Sequence, residues 1–170
     1  MRVLLTGGQG QLGSHLGHFL LNVCECRVVG REEVDLKKPA TLRTALTNFK
    51  PDLIVNTAAY TDVDGAEKNR EHAFAVNALA PGVMADWCAA NGAAMIHFST
   101  DYVYDGSGIR PHFEDSEPRP INVYGESKLA GDQAIASSGI PHLILRTSWI
   151  YSAVGSNFLL TMLRLGATQE

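Results

Sequence analysis

The chain has 170 residues, 45% of them hydrophobic and 19% charged, with a formal net charge of -4. A chain of this length buries roughly 70% of the surface it exposes when unfolded, and its ordinary apolar fraction excludes disorder as the main state. The acidic balance argues against nucleic acid as a partner, and no apolar run approaches the roughly 18 residues of a membrane span, so no membrane association is expected.

The elements alternate in type along the chain. Met1–Thr6 is a short apolar run ending at glycines, which suits a buried parallel strand. Leu12, Leu16, Phe19 and Leu20 follow at helical spacing, and Arg27–Gly30 reads as a second strand. Pro39 can open a helix with Leu42, Ala45 and Leu46 on one side, before a third strand at Leu53–Asn56. Asp62 to Glu67 and Glu71 to Ala90 read as helix, with a break near Asn69 or Pro81. Ala94–Ser99 is a fourth strand. Asp105 to Pro120 is a long irregular stretch rich in glycine and proline, a length that often carries function. A helix from Val123 to Ser137, a fifth strand at His142–Arg146 and an amphipathic stretch through Phe158, Leu159, Met162, Leu163 and Leu165 complete the pattern. Repeated strand–helix units predict an α/β fold, a Rossmann-like doubly wound parallel sheet with helices on both faces.

Residues 7–13 read GGQGQLG, with Gly7, Gly10 and Gly13 three apart between a strand and a helix. Such a turn tolerates positive φ and lets the backbone approach a pyrophosphate, which the free N–H groups and dipole of the helix start then hold. Dinucleotide binding is therefore expected. An acidic residue closing the second strand would favour NAD(H); here Arg31 stands there and suits the 2′-phosphate of NADP(H), while Glu32 and Glu33 directly after it keep NAD(H) open.

Tyr124 and Lys128 are four apart and share one face of their predicted helix. A tyrosine is a poor proton donor at neutral pH, and a nearby ammonium lowers its pKa; the same lysine can reach a cofactor ribose. Ser99 and Thr100 close the fourth strand at its carboxyl end, where ligands of open α/β sheets bind, so a hydroxyl there can bond a substrate carbonyl. Three cysteines, Cys24, Cys26 and Cys88, are an odd number with no second Cys/His pair, so neither a disulfide framework nor a metal site is expected, and the setting expected is cytoplasmic.

The segments GGQGQLG (7–13), NTAAYTDVDGAE (56–67), VNA (76–78), STDYVYDG (99–106), NVYGESKLAGD (122–132) and RTSWIY (146–151) resemble the extended short-chain dehydrogenase/reductase family and, within it, the dTDP-4-dehydrorhamnose reductase subfamily, over nearly the whole chain. The resemblance implies Tyr124 as acid, Lys128 as its activator and ribose ligand, and Thr100 as the hydroxyl at the carbonyl. It implies Gln11 and Leu12 under the pyrophosphate, Asp35 and Leu36 at the adenine, and Ala59, Tyr60 and Thr61 along the cofactor. Asp101 and Trp149 look like substrate contacts, and Asn77 resembles the helix asparagine that organises the site. The reaction implied is NADPH-dependent reduction of a 4-keto group on a dTDP-linked 6-deoxy sugar, with a nucleotide sugar as partner and a homodimer open as the assembly.

Dehydratases of the same fold carry Thr-Asp-Glu where this chain has Thr100, Asp101 and Tyr102, which argues against that activity. Epimerases more often carry two serines there. A non-catalytic NADP-binding regulator, like the regulatory subunit of methionine adenosyltransferase, resembles the same subfamily and stays open as an alternative. The resemblance also implies a C-terminal substrate domain that follows a cofactor-binding domain over residues 1–170. The chain alone is thus expected to bind NADP(H) and to reduce substrate poorly or not at all.

Overall fold

A computed structural model describes residues 1–109, 111–153, 155 and 157–168. Val3, Leu4 and Leu5 in β1 (Arg2–Thr6) are wholly buried, as befits a strand with a neighbour on each side. β2 (Glu25–Val29), β3 (Leu53–Asn56), β4 (Ala94–Thr100) and β5 (His142–Thr147) join it in one sheet of order β2-β1-β3-β4-β5. Every pairing is parallel, as the strand–helix alternation predicts. The chain leaves β1 toward β2 on one side and returns to β3 on the other. The carboxyl ends of β1 and β3 therefore flank the point where the winding reverses, which is where such sheets bind ligands.

Alternate side chains of the strands enter two cores. Leu4, Ile54 and Met95 pack with Leu42 and Leu46 of α2 (Pro39–Phe49), Met84 and Cys88 of α5 (Ala80–Asn91) and Ile135 of α6 (Val123–Ser137). Val3, Leu5 and Val55 face the opposite side, against Leu16 and Leu20 of α1 (Gln11–Leu20). The buried residues of α1 are Gly13 and Gly17, so the helix lies close on the sheet through its glycines. A Cβ on Gly17 would stand 3.3 Å from Val28 Cγ2. Phe19, expected on the apolar side, is instead 63% exposed, because the glycine stripe takes the inward face.

α3 (Val63–Lys68) and α4 (Arg70–Phe74) are separated at Asn69, one of the two expected break points. No break occurs at Pro81. A π-helical turn over Ala75–Leu79 widens the helix just before it, with the Ala80 N–H bonded back to Ala75 O. That turn relieves the clash a proline ring otherwise makes with the carbonyl four residues earlier. Arg70–Asn91 thus forms a 22-residue helical run long and apolar enough, by length and composition, to cross a membrane. Its residues Ala73, Ala80, Met84, Ala85 and Cys88 are nonetheless buried in the protein core. The described residues between Asp105 and Pro120 are irregular as expected, and α7 (Phe158–Thr168) buries none of its side chains.

Candidate active site

The glycine turn leaves β1 with Gly7 at φ 77°, the left-handed region that favours glycine. A Cβ on Gly7 would lie 2.7 Å from Ala58 N, and one on Gly13 would lie 2.1 Å from Gly7 O. Gly7 thus lets the turn pass against β3, and Gly13 lets α1 seat on the turn. No side chain caps the start of α1 at Gly10, so its first-turn N–H groups have no capping partner. Gln11 and Leu12 at that start line a cleft of about 670 Å³ along the carboxyl ends of the strands. An uncapped helix start behind a cradle that a Cβ would fill fits a dinucleotide pyrophosphate.

Gly7, Gly10, Arg31, Asp35, Leu36, Ala59, Tyr60, Thr61, Tyr124 and Lys128 also line this cleft, so the structure unites residues spread over most of the sequence. Arg31 stands just beyond β2. Glu33 is held by Arg27 as an ion pair on the surface and is not among the cleft residues, nor is Glu32. His72 faces the same end, its pKa lowered by burial first and then by the nearby charges of Lys37 and Arg31. Arg31 and Lys37 thus bring positive charge to this end, with the Asp35 carboxylate beside them acting on His72 in the opposite direction. Sequence reasoning missed His72 and Lys37 because neither falls in the motif that marks the turn.

Asn77 clamps the lining after β3. Its Oδ1 accepts from Tyr60 N at 2.8 Å, and its Nδ2 donates to Tyr60 O at 2.9 Å and to Ser127 Oγ at 3.0 Å. One side chain thus ties the segment of Ala59, Tyr60 and Thr61 to α6, which gives physical content to an organising role.

Tyr124 enters the cleft from the first turn of α6, which Asn122 caps by accepting from Gly125 N at 2.8 Å. Burial raises the phenol pKa, and a hydrogen bond with Thr100 opposes that rise. The expected lowering by Lys128 is not what prevails. The lysine Nζ is turned to donate to Phe98 O at 2.6 Å and lies 3.2 Å from His97 Nε2. Lys128 is 1% exposed, and burial lowers its pKa to about 8, with Asp132 acting in the opposite direction. Below it, Asp132 Oδ2 accepts from Ser99 Oγ at 2.7 Å, while Asp132 Oδ1 stands 3.8 Å from His97 Nε2. Arg146 places Nε 3.7 Å from Asp132 Oδ2 and donates from a terminal nitrogen to Tyr104 Oη at 2.7 Å.

Four expected residues do not line the cleft. Gly13 is buried beneath the turn and serves packing. Thr100 is buried; it lies behind Tyr124, donates to Asp101 Oδ1 at 3.1 Å and accepts from Tyr102 N at 3.2 Å. Asp101 is exposed and accepts from Ser148 Oγ at 2.7 Å. Trp149 is 69% exposed at φ 49° and meets Phe158 edge-on with centroids 4.8 Å apart. Sequence reasoning also missed Asn56, His97 and Asp132. The available signal was strand alternation, which puts His97 and Ser99 on the buried side of β4, opposite Lys128 and Asp132 at helical spacing on α6.

The RmlD substrate binding domain profile matches residues 1–170. A dTDP-4-dehydrorhamnose reductase of Burkholderia thailandensis is 43% identical over 170 residues, covering 100% of this chain and 57% of that protein. The dTDP-4-dehydrorhamnose reductase of Escherichia coli K12 is 41% identical over 174 residues, covering 100% of this chain and 58% of its own length. The crystal structure of dTDP-4-dehydrorhamnose reductase from Bacillus anthracis in complex with NADP superposes with a TM-score of 0.94 at 36% identity, over 99% of this chain and 60% of that one. The chain thus spans less than two thirds of the length of these relatives. With the family profile matched from end to end and relatives above 40% identity along the whole chain, the chain belongs to the RmlD substrate binding domain family of extended short-chain dehydrogenase/reductases.

Proposed function

We propose that this chain supplies the cofactor-binding and proton-donating part of an NADPH-dependent reductase acting on the 4-keto group of a dTDP-linked 6-deoxy sugar. The observation that carries the reading is the convergence of an uncapped, glycine-cradled helix start and the Tyr124–Lys128 pair on one cleft. When bound, NADPH supplies the hydride that reduces the carbonyl carbon. The turn at Gly7 and Gly10, with the N–H groups of Gln11 and Leu12, holds the pyrophosphate; Arg31 takes the 2′-phosphate; Asp35 and Leu36 flank the adenine. Ala59, Tyr60 and Thr61 form the wall that Asn77 fixes.

Tyr124 is the acid. Its raised pKa keeps the phenol protonated at neutral pH, as a donor to a developing alkoxide must be. Thr100, beside that phenol at the strand end, is assigned to the oxyanion, to which its hydroxyl turns from Asp101 Oδ1. Lys128 holds the ribose and tunes Tyr124. Asp101, directly after β4, and Trp149, two residues beyond β5, are assigned to the sugar nucleotide. Glu33, drawn away to Arg27, leaves Arg31 to select NADP(H) over NAD(H). The expected setting is the cytoplasm, with a nucleotide sugar as the partner.

The test has two arms. Fluorescence titration of the chain with NADPH and NADH is expected to show tighter NADPH binding. In a polypeptide of the relatives' length that carries this segment, dTDP-4-keto-6-deoxy-L-mannose is expected to drive NADPH oxidation. Tight NADPH binding without oxidation there would overturn the reductase reading in favour of a cofactor-binding regulator.

A further inference from the structure

We propose that Asp132 is a positioning residue for Lys128: its buried carboxylate, one turn further along the same face of α6, is the counter-ion that keeps the lysine a cation. The inference rests on the reading of Lys128 as the cationic partner of Tyr124, and it names the group that sustains that charge in a dry interior.

Tyr124 and Lys128 are four residues apart, and the same step leads on to Asp132, so the three share one stripe of α6. Lys128 is 1% exposed and Asp132 3% exposed. Asp132 is anchored from β4, where Ser99 Oγ donates to Oδ2 at 2.7 Å. Its other oxygen, Oδ1, has no hydrogen-bond donor among the described residues and stands 3.8 Å from His97 Nε2. The same ring nitrogen lies 3.2 Å from Lys128 Nζ, so ammonium and carboxylate are neighbours across one atom. Burial first, and then the charge of Lys128, hold the His97 pKa far below its ordinary value. The ring is therefore neutral and carries no charge that could balance the lysine.

Burial alone can take several pH units off a lysine, so an ammonium kept in such a place needs an opposite charge nearby. Lys128 donates to Phe98 O at 2.6 Å, but a carbonyl carries no net charge. Asp132 is the carboxylate that acts on it against burial. Arg146 on β5 is the rival claimant. Its Nε stands 3.7 Å from Asp132 Oδ2, beyond hydrogen bonding, and its terminal nitrogen is engaged by Tyr104 Oη at 2.7 Å. The guanidinium is thus held by Tyr104 and not by the carboxylate. Burial raises the Asp132 pKa, and the Ser99 hydrogen bond, then Lys128, then Arg146 oppose that rise, so every specific partner favours the charged form. The other titratable groups around α6 are engaged elsewhere. Asp101 and Tyr102, after β4, act on Tyr124; Glu67 of α3 accepts from Val123 N at 2.8 Å; Arg70 of α4 pairs with Glu126 on the surface; and burial pushes the Cys88 thiol of α5 up to about 11.

Carbon NMR on the uniformly labelled chain follows both groups. In the wild type the Asp132 carboxyl is expected to titrate below neutral pH and to record a second, smaller step near pH 8, as Lys128 releases its proton. Asp132→Asn keeps the shape and an acceptor for Ser99 but removes the charge. The titration of the Lys128 ε-carbon is then expected to move down by about one pH unit, tenfold in proton affinity. The sign separates a counter-ion from a packing role, because a variant that merely loosened the site would admit water and move the lysine up toward its ordinary 10.5. An upward shift, an unmoved titration or a carboxyl still protonated at neutral pH would overturn the proposal. Should Asp132→Asn fail to fold, the wild-type carboxyl carries the test, and the lack of its second step at the titration of Lys128 would overturn the coupling. Neither readout uses NADPH or sugar, so the reductase reading and this proposal fail independently.

Discussion

At the β1–β2 end of the cleft the groups that define the void are backbone: the turn at Gly7, the uncapped start of α1 and the close approach of residue 58. At the β4–α6 end they are side chains, Tyr124 over Lys128, with His97, Asp132 and Arg146 packed behind. The first end works because atoms are missing, since a Cβ on Gly7 or Gly13 would run into the backbone that shapes the turn. The second works because titratable groups are crowded into a dry interior, where burial moves their proton affinities. A single fold thus separates holding a cofactor from handling a proton, and substitutions at the two ends are expected to fail in different currencies, affinity and fold at one, turnover and pH dependence at the other.

The largest effect that would sharpen this contrast is Tyr124→Phe. In the longer polypeptide it is expected to reduce turnover by about 10²- to 10⁴-fold while NADPH affinity stays within about twofold, since it removes a proton and little else. Retained turnover, measured as NADPH oxidation, would show that the acid lies elsewhere.

Lys128 offers a test through stability. Unfolded, it holds its proton up to its ordinary value of 10.5; folded, it releases it near 8. Between those values the unfolded state binds more protons, so folding gains stability as pH rises, and below them the buried ammonium is a full penalty. The stability of the wild type relative to Lys128→Met is therefore expected to rise by about 3 kcal/mol across that window. Urea unfolding at a series of pH values reads it, and a flat difference would mean that Lys128 is not held down by its surroundings.

At the backbone end, Gly13→Ala drives a methyl into Gly7 O, which as backbone can yield only by shifting the turn. A loss of about 1–3 kcal/mol of stability is expected, as for overpacked sites, together with weaker NADPH binding. Thermal unfolding and fluorescence titration measure the two; unchanged values would mean the turn is loose. The smallest effect is expected at Arg31→Ala, where one charge-assisted contact is lost and NADPH affinity falls by about tenfold while NADH affinity is kept. Equal losses for both cofactors would remove Arg31 from the 2′-phosphate.

The strands were legible because their apolar runs are short and end at turn residues, and α6 was legible from Val123 to Ser137 because Asn122 caps it and Gly139 follows. On α1, Leu16 and Leu20 pack on the sheet as their spacing predicts but Phe19 was misjudged, because close packing selects glycine and hydrophobic spacing cannot register a residue that has no side chain. Pro81 looked like a break because the π-turn that absorbs it is a backbone adjustment without a residue signature. Local chemistry in the sequence was enough to determine the parallel sheet, the glycine turn and the Tyr124–Lys128 pair, since each depends on neighbours a few residues apart. Only the tertiary structure decided that Glu33 turns to Arg27, that Lys128 points to His97, and that Asn56, His97 and Asp132 stand behind the catalytic pair. Those contacts join residues dozens of positions apart, and the direction of a buried hydrogen bond is set by the partner that folding brings to it.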